Sequence, residues 1–149
     1  TNYGAGKGER ISQVLRYALG TAAVFGLIWL LLAELAPNLF IRIFMSPTEH
    51  ILAIAPAIIR SYGLSFLLLP LNIFSTYYFQ ALMKPVTSFV VSVSRGAVIS
   101  GILIFLLPAV FSGSAIWFAM PLTELIAAVY VVIMMRNYTS QLPRERTGI

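Results

Sequence analysis

Glu124 and Arg95 are the residues of this chain whose chemistry is hardest to explain away, because each stands inside a long stretch that is otherwise free of charge. An ionisable side chain in an apolar span is costly to keep and marks a candidate functional site. If a helix starts near Ala115, Glu124 lies nine residues into it, roughly 14 Å deep at 1.5 Å per residue. A carboxylate at that depth can gain and lose a proton or bind a cation, and it can equally form a structural pair with an arginine. Arg95 falls at a similar depth on the preceding apolar stretch and is the expected partner. Arg60 reads as an interfacial residue whose head reaches out of the bilayer, since snorkelling is cheaper than burial. The segment after Pro70 adds uncharged polar groups, of which Asn72, Thr76, Tyr77 and Gln80 are candidates to line a solute pathway. Helix-to-helix hydrogen bonding would use the same residue types. Pro70 and Pro121 are candidate kinks or hinges.

Other chemistries lack their residues. The chain has no cysteine, no aspartate and one histidine, His50, so zinc sites, thiol nucleophiles and Ser-His-Asp arrangements are excluded and no metal site or cofactor is expected. Gly4-Ala5-Gly6-Lys7-Gly8 lacks the spacing of a phosphate-binding loop. The net charge of +5 is too dispersed for a nucleic-acid face. The chain is not read as an enzyme.

Composition says what positions the two charged residues. Of 149 residues 59% are hydrophobic and 10% charged, well below the roughly 25% charge of soluble domains, so the partner medium is a lipid bilayer. About 20 apolar residues cross the hydrocarbon core as a helix. The apolar runs are continuous and show no strand-like alternation, which predicts an all-α integral membrane protein with four transmembrane helices at about 12–36, 47–83, 86–108 and 115–136. Residues 1–11 read as a cytoplasmic loop and 137–149 as a polar, disordered tail. Ser46-Pro47-Thr48-Glu49 resembles a helix start with Ser46 as N-cap. The second run exceeds one crossing, so it must tilt, kink at Pro70 or project beyond the bilayer near Pro56. Leu39 to Met45, around Arg42, suits either a segment lying in the interface or a packed loop. Pro108 to Ser114 supplies the turn between the last two spans.

With spans alternating, Lys7, Arg10, Arg16, Lys84, Arg136, Arg144 and Arg146 collect on one side and Arg42 on the other. The basic side is expected to be cytoplasmic, giving a multi-pass protein of the cell membrane, inner or plasma, with a cytoplasmic C-terminus. The opening residues have no initiator methionine and read as a loop within something longer.

Four stretches, in order, resemble one family. Asn2-Tyr3-Gly4-Ala5-Gly6-Lys7 with Arg10, Leu39-Phe40 before the Ser46–Glu49 helix start, Phe79-Gln80-Ala81-Leu82-Met83-Lys84-Pro85, and Trp117-Phe118-Ala119-Met120-Pro121-Leu122-Thr123-Glu124 are similar to the multidrug and toxic compound extrusion (MATE) family. The resemblance implies helices nine to twelve of a twelve-helix, two-lobe transporter, with an N-terminal lobe as partner. It further implies export of small organic, often cationic, compounds by antiport with H+ or Na+. Some members carry an acidic residue in the tenth helix, whereas residues 60–84 here contain none, leaving Glu124 or groups elsewhere for cation coupling. A related lipid-linked glycan carrier and a small structural four-helix subunit are the alternatives.

Overall fold

The computed structural model describes residues 2–142, and among these every regular element is helical. Four helical segments are long and apolar enough to cross a membrane: Gly8–Leu35, Glu49–Ala81, Pro85–Val110 and Gly113–Ser140. The first is one helix, α1 (Gly8–Leu35), uncharged between Arg16 and Glu34. It stops at Leu35 because Pro37 has no N–H and holds the residue before it out of the helical region; Ala36 sits at φ −131°. Pro37 opens α2 (Pro37–Phe44), an eight-residue helix too short to cross a bilayer. Its Ile41 is buried while Ile43 and Phe44 are exposed, and Phe40 meets Trp29 of α1 at 6.1 Å between ring centres.

The second span begins with α3 (Glu49–Gly63), and here the structure corrects the capping signal. Thr48, not Ser46, is the N-cap, its hydroxyl accepting from the Ile51 N–H at 3.4 Å, so Glu49 is the first helical residue rather than the third of a capping box. Thr48 is extended at ψ 165°, which leaves its oxygen facing the open N–H groups and puts the Glu49 charge in the first turn, where the helix dipole favours it. The span then changes winding. Leu64–Leu67 form a 3₁₀ turn before α4 (Leu69–Ala81), with Pro70 at the start of α4. Pro70 cannot donate to the Phe66 carbonyl, and the tighter turn sits where that hydrogen bond is missing.

Close backbone approach ties the first two spans together. A Cβ on Gly26 would lie 2.7 Å from the Leu67 carbonyl oxygen and 2.8 Å from that of Phe66, and a Cβ on Gly63 would lie 2.6 Å from the Ala33 methyl. Glycine therefore lets α1 reach the carbonyls that Pro70 helps to free, the small-residue packing expected of membrane helices. At the far end Arg60 donates through Nε to the Glu34 carbonyl at 3.0 Å, capping the last turn of α1 from an exposed position.

The turn into the third span closes with two backbone bonds, Lys84 N–H to Phe79 O at 2.8 Å and Met83 N–H to Gln80 O at 3.0 Å, around Met83 at φ 58°. The third span comprises α5 (Pro85–Val93), a π-helical segment Ser94–Ile99, and α6 (Ser100–Val110). Pro108 lies inside α6, so the span ends at Val110 rather than at 108. A 3₁₀ segment, Gly113–Phe118, leads into α7 (Ala119–Ser140).

The last helix runs past Arg136 into the stretch expected as tail. Asn137–Ser140 are helical because their side chains find partners across the bundle: Thr139 meets the Tyr78 hydroxyl at 2.7 Å, and the Tyr138 hydroxyl meets Thr87 at 2.8 Å. The rest of that stretch, from Pro143 and including Arg144 and Arg146, lies outside the described residues. Leu15, Tyr78, Phe79, Leu82, Val91, Val131 and Met135 form the core at this end of the bundle. Arg10 and Arg16 line a groove with Thr139 and Ser140, and Lys84 stands over the Tyr138 ring at 5.3 Å. These basic residues therefore share one end, while Arg60 belongs with Glu34 at the other.

Candidate functional site: a buried carboxylate between three spans

Glu124 sits on α7 with no exposed surface, among Thr123, Ala127 and Ala128, which are also buried. Three residues before it, Pro121 has no N–H for the Trp117 carbonyl, close to where the 3₁₀ segment gives way to α7. The carboxylate is held from two other spans. Arg95 donates through Nη1 to Oε1 at 2.9 Å, and Asn72 donates through Nδ2 to Oε2 at 2.7 Å. The same Asn72 amide nitrogen reaches the Glu124 backbone carbonyl at 2.9 Å. Residues 72, 95 and 124, far apart in sequence, thus form one polar cluster joining the second, third and fourth spans.

Local structure explains how each arm arrives. Asn72 is in the first turn of α4, directly after the 3₁₀ turn and Pro70, and has no exposed surface. Ser75 returns to the Asn72 carbonyl at 2.7 Å. Arg95 stands in the π-helical segment, a wider turn than the α-helices on either side and one that recurs at functional sites. Its side chain keeps 21% of its surface exposed, so it reaches the buried carboxylate from the edge of the bundle. The ionic pair and the amide together compensate a charge that would be very costly alone. Two polar atoms beside the pair, Asn72 Oδ1 and Arg95 Nε, are buried with no protein partner.

The residues expected along a solute pathway do not stay together. Asn72 joins Glu124. Gln80 donates to Ser88 on α5 at 3.1 Å, and Ser88 donates to the Thr76 carbonyl at 2.9 Å, a hydrogen-bonded link between α4 and α5. The Thr76 hydroxyl is spent on the Ile73 carbonyl of its own helix at 2.8 Å. Tyr77 is 65% exposed and borders a cleft of about 310 Å³ with Tyr3, Phe74 and Tyr78. Sequence reasoning missed the Ser88, Thr87 and Thr139 contacts, since a hydroxyl on a helix carries no mark of which neighbour it will meet. No group of three metal-ligating side chains occurs among the described residues.

The family model of MatE matches residues 1–106, more than half of the chain. This chain belongs to the MatE family. The match takes in Asn72 and Arg95 and stops short of Glu124. Membership makes this MatE chain part of a membrane transporter, in agreement with its four apolar helices. No curated protein and no solved structure matches it.

Proposed function

We propose that this MatE chain forms helices nine to twelve of a secondary active efflux transporter that exports small organic, often cationic, compounds by antiport with H+ or Na+. Its basic end faces the cytoplasm of a cell or plasma membrane, and an N-terminal lobe completes the pathway. Glu124 is the coupling carboxylate, Arg95 its counter-ion, and Pro70 and Pro121 are the points about which the flanking helices move. The observation that supports this reading best is Glu124 itself, a carboxylate with no exposed surface held between three spans. A buried ion pair is weak as a stabilising device, so its retention in an apolar bundle fits a role in the transport cycle. The glycan-carrier alternative would need Arg95 to receive a lipid phosphate beside the Glu124 carboxylate that it already holds, and two anions would then share the site.

The test is efflux of a cationic dye from cells expressing the full-length protein. Glu124→Gln removes the charge and keeps the shape. The introduced amide can still accept from Arg95 through its oxygen. Efflux is expected to fall at least about tenfold, the size of a barrier change near 1.4 kcal/mol, with unchanged membrane expression. Unchanged efflux would leave the pair with a structural role only.

A further inference from the structure

The oxygen inventory around Glu124 bears on which cations the site admits. Three oxygens of Glu124 take part, Oε1, Oε2 and the backbone oxygen, and the Asn72 amide that donates to two of them carries a buried oxygen, Oδ1, without a protein partner. Hard metal cations need several oxygens turned toward them. Here Oε1 faces an arginine N–H, while Oε2 and the backbone oxygen face the Asn72 N–H, and only Asn72 Oδ1 is uncommitted. A permanent positive charge already stands at hydrogen-bond distance from the carboxylate, and an arginine cannot discharge it by losing a proton. A second fixed cation at the same carboxylate would meet direct repulsion in a medium that screens poorly.

We propose that Arg95 is the specificity-determining residue of this site. It is a tethered cation that takes the place a metal ion would occupy, keeps Na+ off Glu124, and leaves a proton as the species for which the carboxylate exchanges its arginine. The inference rests on reading Glu124 as the cation-handling carboxylate. Two features of the fold suit the exchange. Arg95 approaches from the partly exposed edge of the bundle on a π-helical turn, so it can withdraw without unpacking Glu124. Asn72 Nδ2 can serve the carboxyl group in either state, because a protonated carboxyl keeps an acceptor oxygen.

Removal of the tethered cation should therefore create a sodium site. Arg95→Met frees Oε1 and leaves the buried charge uncompensated, with the Asn72 amide able to present Oδ1 to a metal ion. The experiment follows the thermal unfolding midpoint of the purified full-length protein in NaCl and in choline chloride at equal concentration. The unaltered protein is expected to show the same midpoint in both salts. Arg95→Met should gain at least about 3 °C in NaCl, the shift produced by a ligand well above its dissociation constant. The double variant Arg95→Met/Glu124→Gln should lose that gain. Arg95→Gln serves as a second variant should the methionine form not fold. A sodium-specific rise in the unaltered protein that Glu124→Gln abolishes overturns the proposal, as does the absence of a rise in both arginine variants. None of these outcomes depends on transport, so an unchanged dye efflux in Glu124→Gln defeats the coupling role without deciding the selectivity of Arg95.

Discussion

Glu124→Leu is expected to destabilise the four-helix bundle by about 3–5 kcal/mol, the cost of leaving one member of a buried ion pair without its partner. The leucine fills much of the same volume, so the loss comes from what remains. The Arg95 guanidinium would point at an aliphatic group, and the Asn72 amide would keep only the Glu124-position backbone carbonyl as acceptor. Glu124→Gln at the same position should cost less, about 1–3 kcal/mol, because a neutral amide oxygen still accepts from Arg95 although the counter-charge is lost. Thermal unfolding of the purified protein, read as the fraction remaining monodisperse with temperature, separates the two. Leucine and glutamine variants that both keep the midpoint of the unaltered protein would mean that the pair contributes nothing to the fold.

The second large effect belongs to Gly26. A Cβ there would stand 2.7 and 2.8 Å from two backbone carbonyl oxygens of the 3₁₀ turn, and backbone cannot swing aside as a flexible side chain can. Gly26→Ala should force α1 away from the second span and cost about 2–3 kcal/mol, the usual penalty of overpacking, in spite of the better helix propensity of alanine. Gly20, on the same helix, is the internal control. Nothing lies within 4 Å of a Cβ built there, so Gly20→Ala should stabilise by about 0.5–1 kcal/mol. Midpoints that rise for both alanines would show that the close approach at Gly26 relaxes without cost.

These two sites differ in how far sequence alone foretells them. The four spans were legible because apolar runs bracketed by charges leave a bilayer helix no alternative, and the two ends of the bundle followed from where the basic residues fall. Depth counting along two spans also paired Arg95 with Glu124, since like depth on adjacent helices is a geometric requirement for contact. Asn72 could only be read as one polar residue among several on its span. That it reaches Glu124 follows from the 3₁₀ turn before Pro70, whose winding sets the direction in which α4 begins. The π-helical turn carrying Arg95 had no specific signal, because Ser94 and Gly96 weaken an α-helix without marking where a wider turn falls. Gly26 looked like any helical glycine until the carbonyls of residues 66 and 67 were placed against it. Helix ends were the least legible feature. Asn137–Ser140 are polar and read as tail, yet hydrogen bonds from Thr139 and Tyr138 to the second and third spans carry the helix on.

The central claim is that Arg95 and Glu124 work as one unit in transport by this MatE protein. A double-mutant cycle on dye efflux tests it most directly, comparing the full-length protein with Arg95→Met, Glu124→Gln and both together at matched membrane expression. Groups that act as a unit are strongly non-additive, so each single change is expected to lower efflux at least about tenfold and the double change to lower it no further. Losses that multiply in the double variant, or single variants that export dye at the unaltered rate, would contradict it.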